Sequence, residues 1–226
     1  ALLPRHCILC GLISGTKNLC IPCRDDLPRN RGVCLQCALP LPGGEGQICG
    51  SCLARPPPWD YAIAALHYGF PVDRLVCRFK FNRNLACGAV LSDELLISVE
   101  EQCKALPGLI VPVPLHRGRQ FRRNFNQADI LARTIGKGID VPVSSLFLNR
   151  RYRTHAQSGL DAKARRKNTR GAFSLGRAAK RHDVQHVALV DDVMTTGATL
   201  YECSRILKKA GVKTVSAWVA ARAPAV

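Results

Sequence analysis

Between residues 59 and 220 the apolar positions alternate between two rhythms. Trp59 to Tyr68 is dense in aromatic and aliphatic residues and predicts a strand. Val72–Phe81 and Leu85–Gln102 follow with helical spacing, the second placing Leu91, Leu95, Leu96 and Val99 on one face. Leu109–Val113 predicts a short buried strand, and Asn126–Lys137 a helix whose stripe is Ala128, Leu131, Ala132 and Ile135. Leu146–Leu148 is a brief strand candidate, and Val187–Val190 a buried one ending on Asp191 and Asp192. A helix from Leu200 to Ala210 stops at Gly211, suited to the left-handed residue after a helix, and Thr214–Ala220 reads as a final strand. Strands alternating with helices imply an α/β fold with a mainly parallel sheet, whose ligands sit beyond the C-terminal ends of the strands.

The first 55 residues break this pattern. Eight of the twelve cysteines form four Cys-x-x-Cys pairs: Cys7/Cys10, Cys20/Cys23, Cys34/Cys37 and Cys49/Cys52. One such pair suits redox chemistry, but four at near-even spacing form a metal framework. Thiolates two residues apart grip one tetrahedral zinc while the backbone turns beneath it, and two pairs close a structural site. Few large apolar residues accompany them, so two zinc ions would supply much of the folding free energy. A disulfide-stapled secreted module is the competing account. Sequential pairing, Cys7/10/20/23 and Cys34/37/49/52, is favoured, and a cross-braced arrangement uses the same ligands. Pro56-Pro57-Pro58 then divides this head, residues 1–55, from the α/β domain, residues 56–226. The scattered Cys77, Cys87, Cys103 and Cys203 read as small buried hydrophobes.

Charge narrows the partners. The 226-residue chain carries a formal +17, and residues 117–181 hold 17 Lys/Arg against only Asp129, Asp140 and Asp161. A block so lopsided attracts polyanions, whether nucleic acid or a pyrophosphate-bearing substrate. No apolar run reaches the ~18–20 residues of a membrane span, and residues 1–6 lack the plan of a secretory leader, so the cytoplasm is the expected compartment.

The strongest chemical signal lies in residues 187–200, Val-Ala-Leu-Val-Asp-Asp-Val-Met-Thr-Thr-Gly-Ala-Thr-Leu. A strand leads into a small hydroxyl- and glycine-rich loop, Thr195, Thr196, Gly197, Ala198 and Thr199, and then a helix. Backbone N–H groups and a helix N-terminus suit a phosphate, and acids just before them suit ribose hydroxyls. A sugar 5′-phosphate fits both halves. The alternative is a buried strand with an acidic turn, as in a receiver-like fold. The stretch resembles the 5-phosphoribosyl-1-pyrophosphate (PRPP) loop of type I phosphoribosyltransferases.

Two other segments belong with it. Val111-Pro112-Val113-Pro114-Leu115-His116-Arg117-Gly118-Arg119 leaves a strand as a cationic loop, continuing through Arg122-Arg123-Asn124-Phe125-Asn126-Gln127 into a helix. Arginine forks and N–H groups at a helix start suit a pyrophosphate, the alternative being a solvated basic turn. Arg150 to Phe173 is long, hydrophilic and lies between two predicted strands; a loop of that length is a lid or is disordered, and a lid would keep water from an oxocarbenium-like ribose carbon.

The order of these motifs resembles the competence protein F family (ComF/GntX-like) across almost the whole chain. The resemblance rests on paired zinc ribbons, the Pro-Val-Pro-Leu basic loop, Phe-Asn-Gln, a Thr-x-x-Gln-x-x-Leu segment with Arg165 and Asn168, and Val-Asp-Asp-Val-x-Thr-Thr-Gly-Ala-Thr. Where the family commonly has Arg-Gly-Phe-Asn-Gln, this chain has Arg123-Asn124-Phe125-Asn126-Gln127; asparagine is the non-glycine residue that best tolerates positive φ.

The resemblance implies a type I phosphoribosyltransferase-like domain, mainly parallel, behind a small double zinc ribbon, linked to handling of incoming DNA. It implies that Asp191 and Asp192 hold the ribose hydroxyls, that Thr195–Thr199 cradle the 5′-phosphate, and that His116 and Arg117 face the pyrophosphate. Mg²⁺ would accompany PRPP, and Arg153 and Gln157 would act with the two aspartates from the lid. Lys80 either reaches the anion or stands in solvent. The activity implied is phosphoribosyl transfer with pyrophosphate release. The alternative is a non-catalytic PRPP- or nucleic-acid-binding accessory factor in DNA uptake. The partners implied are PRPP or a related phosphosugar, with single-stranded DNA or DNA-uptake proteins beyond them.

Overall fold

A computed structural model describes residues 5–42, 46–115, 125–151, 169, 171–181 and 184–224. The head is built from turns more than from regular elements. A two-stranded antiparallel ribbon, β1 (Arg5–His6) with β2 (Ile13–Gly15), and two single-turn helices, α1 (Ile21–Asp25) and α2 (Gly50–Ala54), lie among its cysteines.

Four strands then form a parallel sheet in the order β3-β8-β7-β4: β3 (Tyr61–His67), β4 (Leu109–Pro112), β7 (His186–Met194) and β8 (Thr214–Arg222). Both faces of the sheet are covered, so its strands read as continuous apolar runs. Ala188 and Val190 of β7 pack on one face with α3 (Val72–Asn82), α4 (Leu85–Gln102) and α5 (Gln127–Gly138). Val187 and Leu189 point the other way, into a cluster with α6 (Ala198–Lys209) and a small hairpin, β5 (Leu148–Arg150) paired antiparallel with β6 (Phe173–Leu175).

The helices start and stop for local reasons. Asn84 caps α4 by accepting from the Cys87 N–H at 3.1 Å, and Asn126 caps α5 by accepting from the Ala128 N–H at 3.2 Å. Val72, Leu75, Val76 and Phe79 form the buried stripe of α3. Helices α3 and α4 approach so closely that a Cβ on Gly88 would lie 2.5 Å from the Phe79 ring.

Three expectations need correction. β7 does not end at Val190 but continues through both aspartates to Met194, because β8 runs equally far and pairs Asp191 with Val219 and Met194 with Arg222. The strand expected at Leu146–Leu148 lies at Leu148–Arg150, where β6 supplies its partner. Cys77 is exposed and Cys103 half-buried, whereas Cys87 and Cys203 are buried as expected. Among the described residues, no helix is long and apolar enough to cross a membrane.

The head covers the open edge of β3, which would otherwise offer unpaired backbone groups. The Asn30 N–H donates to Ala65 O at 2.9 Å, and the His67 N–H donates to Pro28 O at 2.8 Å. A second fastening is ionic: Glu94 of α4, only 4% exposed, accepts from Arg24 Nε at 2.9 Å and Arg29 Nη2 at 3.2 Å. Replacing Glu94 by alanine should cost about 2 kcal/mol, since two charged hydrogen bonds disappear while the half-exposed arginines rehydrate. Urea denaturation of the zinc-loaded protein reads this, and an unchanged midpoint would show that the two arginines do not hold the head.

Candidate functional site

Two sets of four cysteines come together in the head, Cys7/Cys10/Cys20/Cys23 and Cys34/Cys37/Cys49/Cys52, with all sulfurs of each set within 4.8 Å of one another. Sequential pairing is therefore the arrangement in the fold. Cys10 and Cys20 Sγ are 3.7 Å apart, as are Cys37 and Cys49 Sγ. A tetrahedral zinc with Zn–S bonds of ~2.3 Å sets its sulfurs about 3.8 Å apart, so both sets fit the ion.

The local backbone favours thiolate at one cysteine of each set, whereas neighbouring cysteines and burial raise Cys23, and burial and neighbouring cysteines raise Cys37 and Cys52. Burial acts to raise the Cys7 thiol, but N–H groups of Cys10, Cys20 and Leu9 hold it down to about 6. Cys34 is likewise lowered to about 7 against its burial, with the Cys49 N–H donating to its sulfur at 3.3 Å. Four-thiolate sites leave no open position for water or substrate, so their role is structural.

A cavity of about 890 Å³ opens at the C-terminal end of the sheet, in the size range of small-molecule sites. Asp191, Asp192 and the whole run Thr195–Thr199 line it. Because β7 stays extended through the acid pair, the two carboxylates follow the alternation of its side chains. Asp192 falls on the α3 side, where Lys80 Nζ lies 3.0 Å from its Oδ1. Asp191 falls on the α6 side, near Cys203, whose thiol is raised by burial and by that carboxylate.

The electrostatics follow from this split. Burial works against the charge of Lys80, but Asp192 and then Asp191 hold it above the ordinary ammonium value. Asp191 is pushed up to about 7, first by burial and then by the neighbouring Asp192 charge, although Lys80 and Arg150 pull the other way. The phosphate-loop candidate turns at Gly197, whose φ of +71° L side chains rarely adopt, and this residue caps α6 without a side-chain hydrogen bond. The first N–H groups of any helix lack carbonyl partners within it, which leaves the start of α6 suited to an anion.

Other segments reach the same cavity. Asn126 and Gln127 of the Phe-Asn-Gln motif line it, as does Arg150 from β5. Asn126 Nδ2 donates to Val113 O at 3.0 Å, which clips the start of α5 to the end of β4. His116, Arg117, Arg153 and Gln157 lie outside the described residues. Lys80, which the sequence left between solvent and the site, stands in the site. Tyr68 on the cavity wall and Arg222 beneath the loop were not foreseen. Arg222 did leave a signal, as the lone charge of its strand, directly after the apolar run Ala217 to Ala221.

The family model "Double zinc ribbon domain" matches residues 1–53, and "Phosphoribosyl transferase domain" matches residues 125–225. Competence protein F of Haemophilus influenzae is 38% identical over 221 residues, covering 90% of this chain and 96% of that protein. DNA utilization protein YhgH of Escherichia coli O157:H7 is 33% identical over 225 residues, covering 97% of each. Competence protein ComFC of Bacillus subtilis is 23% identical over 226 residues, covering 93% of this chain and 87% of that protein.

Metal analysis of the purified protein should return about two zinc ions per chain, and a value near zero would remove the ribbon account. The raised Asp191 carboxyl makes a second prediction. The folded protein keeps this proton from about pH 4 up to about pH 7, where the unfolded chain has lost it, so this group's contribution to stability falls as pH rises through that window. Asp191→Asn removes the dependence. The melting temperature of the variant minus that of the wild type should therefore climb between pH 5.5 and 8, zinc release being common to both, and a flat difference would refute the raised Asp191 carboxyl.

Proposed function

The chain belongs to the competence protein F family, and from that premise we propose that its cavity binds the magnesium complex of PRPP and supports phosphoribosyl transfer. One observation carries the reading: a parallel strand brings two adjacent aspartates and a glycine-turned loop at a helix start to the wall of a single cavity. Loop amides and the start of α6 are suited to the 5′-phosphate. Asp191 and Asp192 are suited to the ribose 2′- and 3′-hydroxyls, whose O–H groups donate to the carboxylates. Lys80 neutralises Asp192 when the cavity holds no sugar and stands within the cavity as a cation for the departing pyrophosphate.

In the transfer step a nucleophile forms a bond to ribose carbon 1 while the bond from that carbon to pyrophosphate oxygen breaks. The electron pair leaves with pyrophosphate, whose charge cationic side chains offset, and magnesium arriving with PRPP would add Lewis-acid neutralisation of the same oxygens. His116 and Arg117 are assigned to the pyrophosphate side, and Arg153 and Gln157 to a lid that excludes water. Residues 1–55 act as the structural head and 56–226 as the transferase-like domain, in the cytoplasm.

The basic block in residues 117–181 favours a second reading, in which the protein binds PRPP or nucleic acid as an accessory to DNA uptake with little turnover. Titration calorimetry with PRPP and magnesium should give saturable binding that Asp191→Asn/Asp192→Asn weakens at least ~100-fold, the scale of losing two charged hydrogen-bond acceptors. Unchanged affinity in the double variant would remove the sugar-hydroxyl assignment. With binding established, pyrophosphate release on supplying nucleobases supports transfer, whereas silence across them supports the accessory role.

A further inference from the structure

The second zinc site and the phosphate loop share their supports. Arg222, the last residue of β8 and only 7% exposed, reaches both. Its Nε donates to the carbonyl of Cys37, a ligand of that site, at 2.9 Å. Its Nη1 donates to the carbonyls of Met194 at 3.1 Å and Thr195 at 2.6 Å, where β7 gives way to the loop, and also to Ala223 O. A guanidinium is a rigid planar fork, so these carbonyls are held in fixed relation to one another.

A second strut begins one residue earlier. The indole Nε1–H of the buried Trp59 donates to Gln36 O, between Cys34 and Cys37. The same ring lies under the middle of the loop: a Cβ on Gly197 would be 3.0 Å from Trp59 Cη2. The entry of the loop and its turn at Gly197 are thus braced against one cysteine turn.

The first site is attached elsewhere. Arg78 of α3 donates to Ile8 O at 3.1 Å, and Arg24, just after Cys23, and Arg29 bind Glu94 of α4.

We propose that Arg222 is a positioning residue through which the Cys34/Cys37/Cys49/Cys52 site fixes the geometry of the phosphate loop, so that metal at this site sets phosphosugar affinity. The inference rests on reading residues 195–199 as the phosphate cradle. Metal closes the Cys34–Cys37 turn; without it the turn can shift, and the carbonyls of Gln36 and Cys37 no longer anchor Trp59 and Arg222. A loop that acts through backbone N–H groups depends on their being held in place before the anion arrives.

The experiment uses the full zinc-loaded chain with two readouts, amide hydrogen exchange across residues 195–200 without ligand and calorimetric titration with PRPP and magnesium. Arg222→Gln should keep both zinc ions, speed exchange of the loop amides ~10-fold or more, and weaken PRPP binding by a similar factor, the scale of losing one or two charged hydrogen bonds. Arg222→Lys keeps the charge but not the fork and should recover only part of the loss. Cys52→Ser should release one zinc and reproduce the loosened loop. Cys23→Ser should release the other zinc and leave exchange in the loop at its wild-type rate.

The proposal is overturned if Arg222→Gln retains wild-type exchange, or if Cys23→Ser loosens the loop as much as Cys52→Ser. Should Arg222→Gln not fold, Arg222→Lys decides, because it keeps the charge and removes only the planar fork that bridges Cys37 to Met194 and Thr195. Faster exchange supports the strut, and unchanged exchange overturns it. If the exchange results hold but the wild type binds no PRPP, the phosphosugar reading fails while the coupling stands.

Discussion

Parallel pairing of β7 with β8 is the constraint on which the site depends. The register that sets Val190 against Trp218 also sets Asp191 against Val219 and Met194 against Arg222, so the sheet extends four residues past its apolar centre. That extension gives the acid pair a fixed backbone. It also delivers Arg222 to the point where β7 ends and the loop begins. Loop, acids and the guanidinium beneath them are therefore placed by one ladder, which is buried on both faces and cannot slip by a residue without turning its apolar side chains the wrong way.

The alternation of that ladder gives two neighbouring aspartates different surroundings. Asp192 meets a lysine from α3, on the side where the first zinc site supports the helices. Asp191 faces α6 and keeps its proton up to about pH 7 because burial and the adjacent carboxylate both oppose its charge. Two like charges on consecutive residues are tolerated because Lys80 offsets one and the other ionises late. A bound diol would change this balance by donating hydrogen bonds to both.

The sequence foretold much of this because the two periods of the apolar pattern were clean. Helices over Leu85–Gln102 and Asn126–Lys137, the α/β order and both cysteine sets follow from local chemistry. The length of β7 did not, since its last residues are stabilised by a partner strand and not by their own apolarity. The role of Lys80 depends on how α3 packs across the sheet, which spacing along one helix does not encode. Arg222 was visible as a charge in an apolar run, but its partners, the carbonyls of Cys37, Met194 and Thr195, lie far from it in sequence. Backbone acceptors leave no mark in a pattern of side chains.

The clip between Asn126 and Val113 has a consequence of its own. Chain that departs at β4 and returns at α5 is fastened at its neck by one side chain that caps the helix as well. Because the same amide side chain holds the Val113 carbonyl and the Ala128 N–H, one substitution at Asn126 would loosen the end of β4 and the first turn of α5 together, on the wall of the cavity.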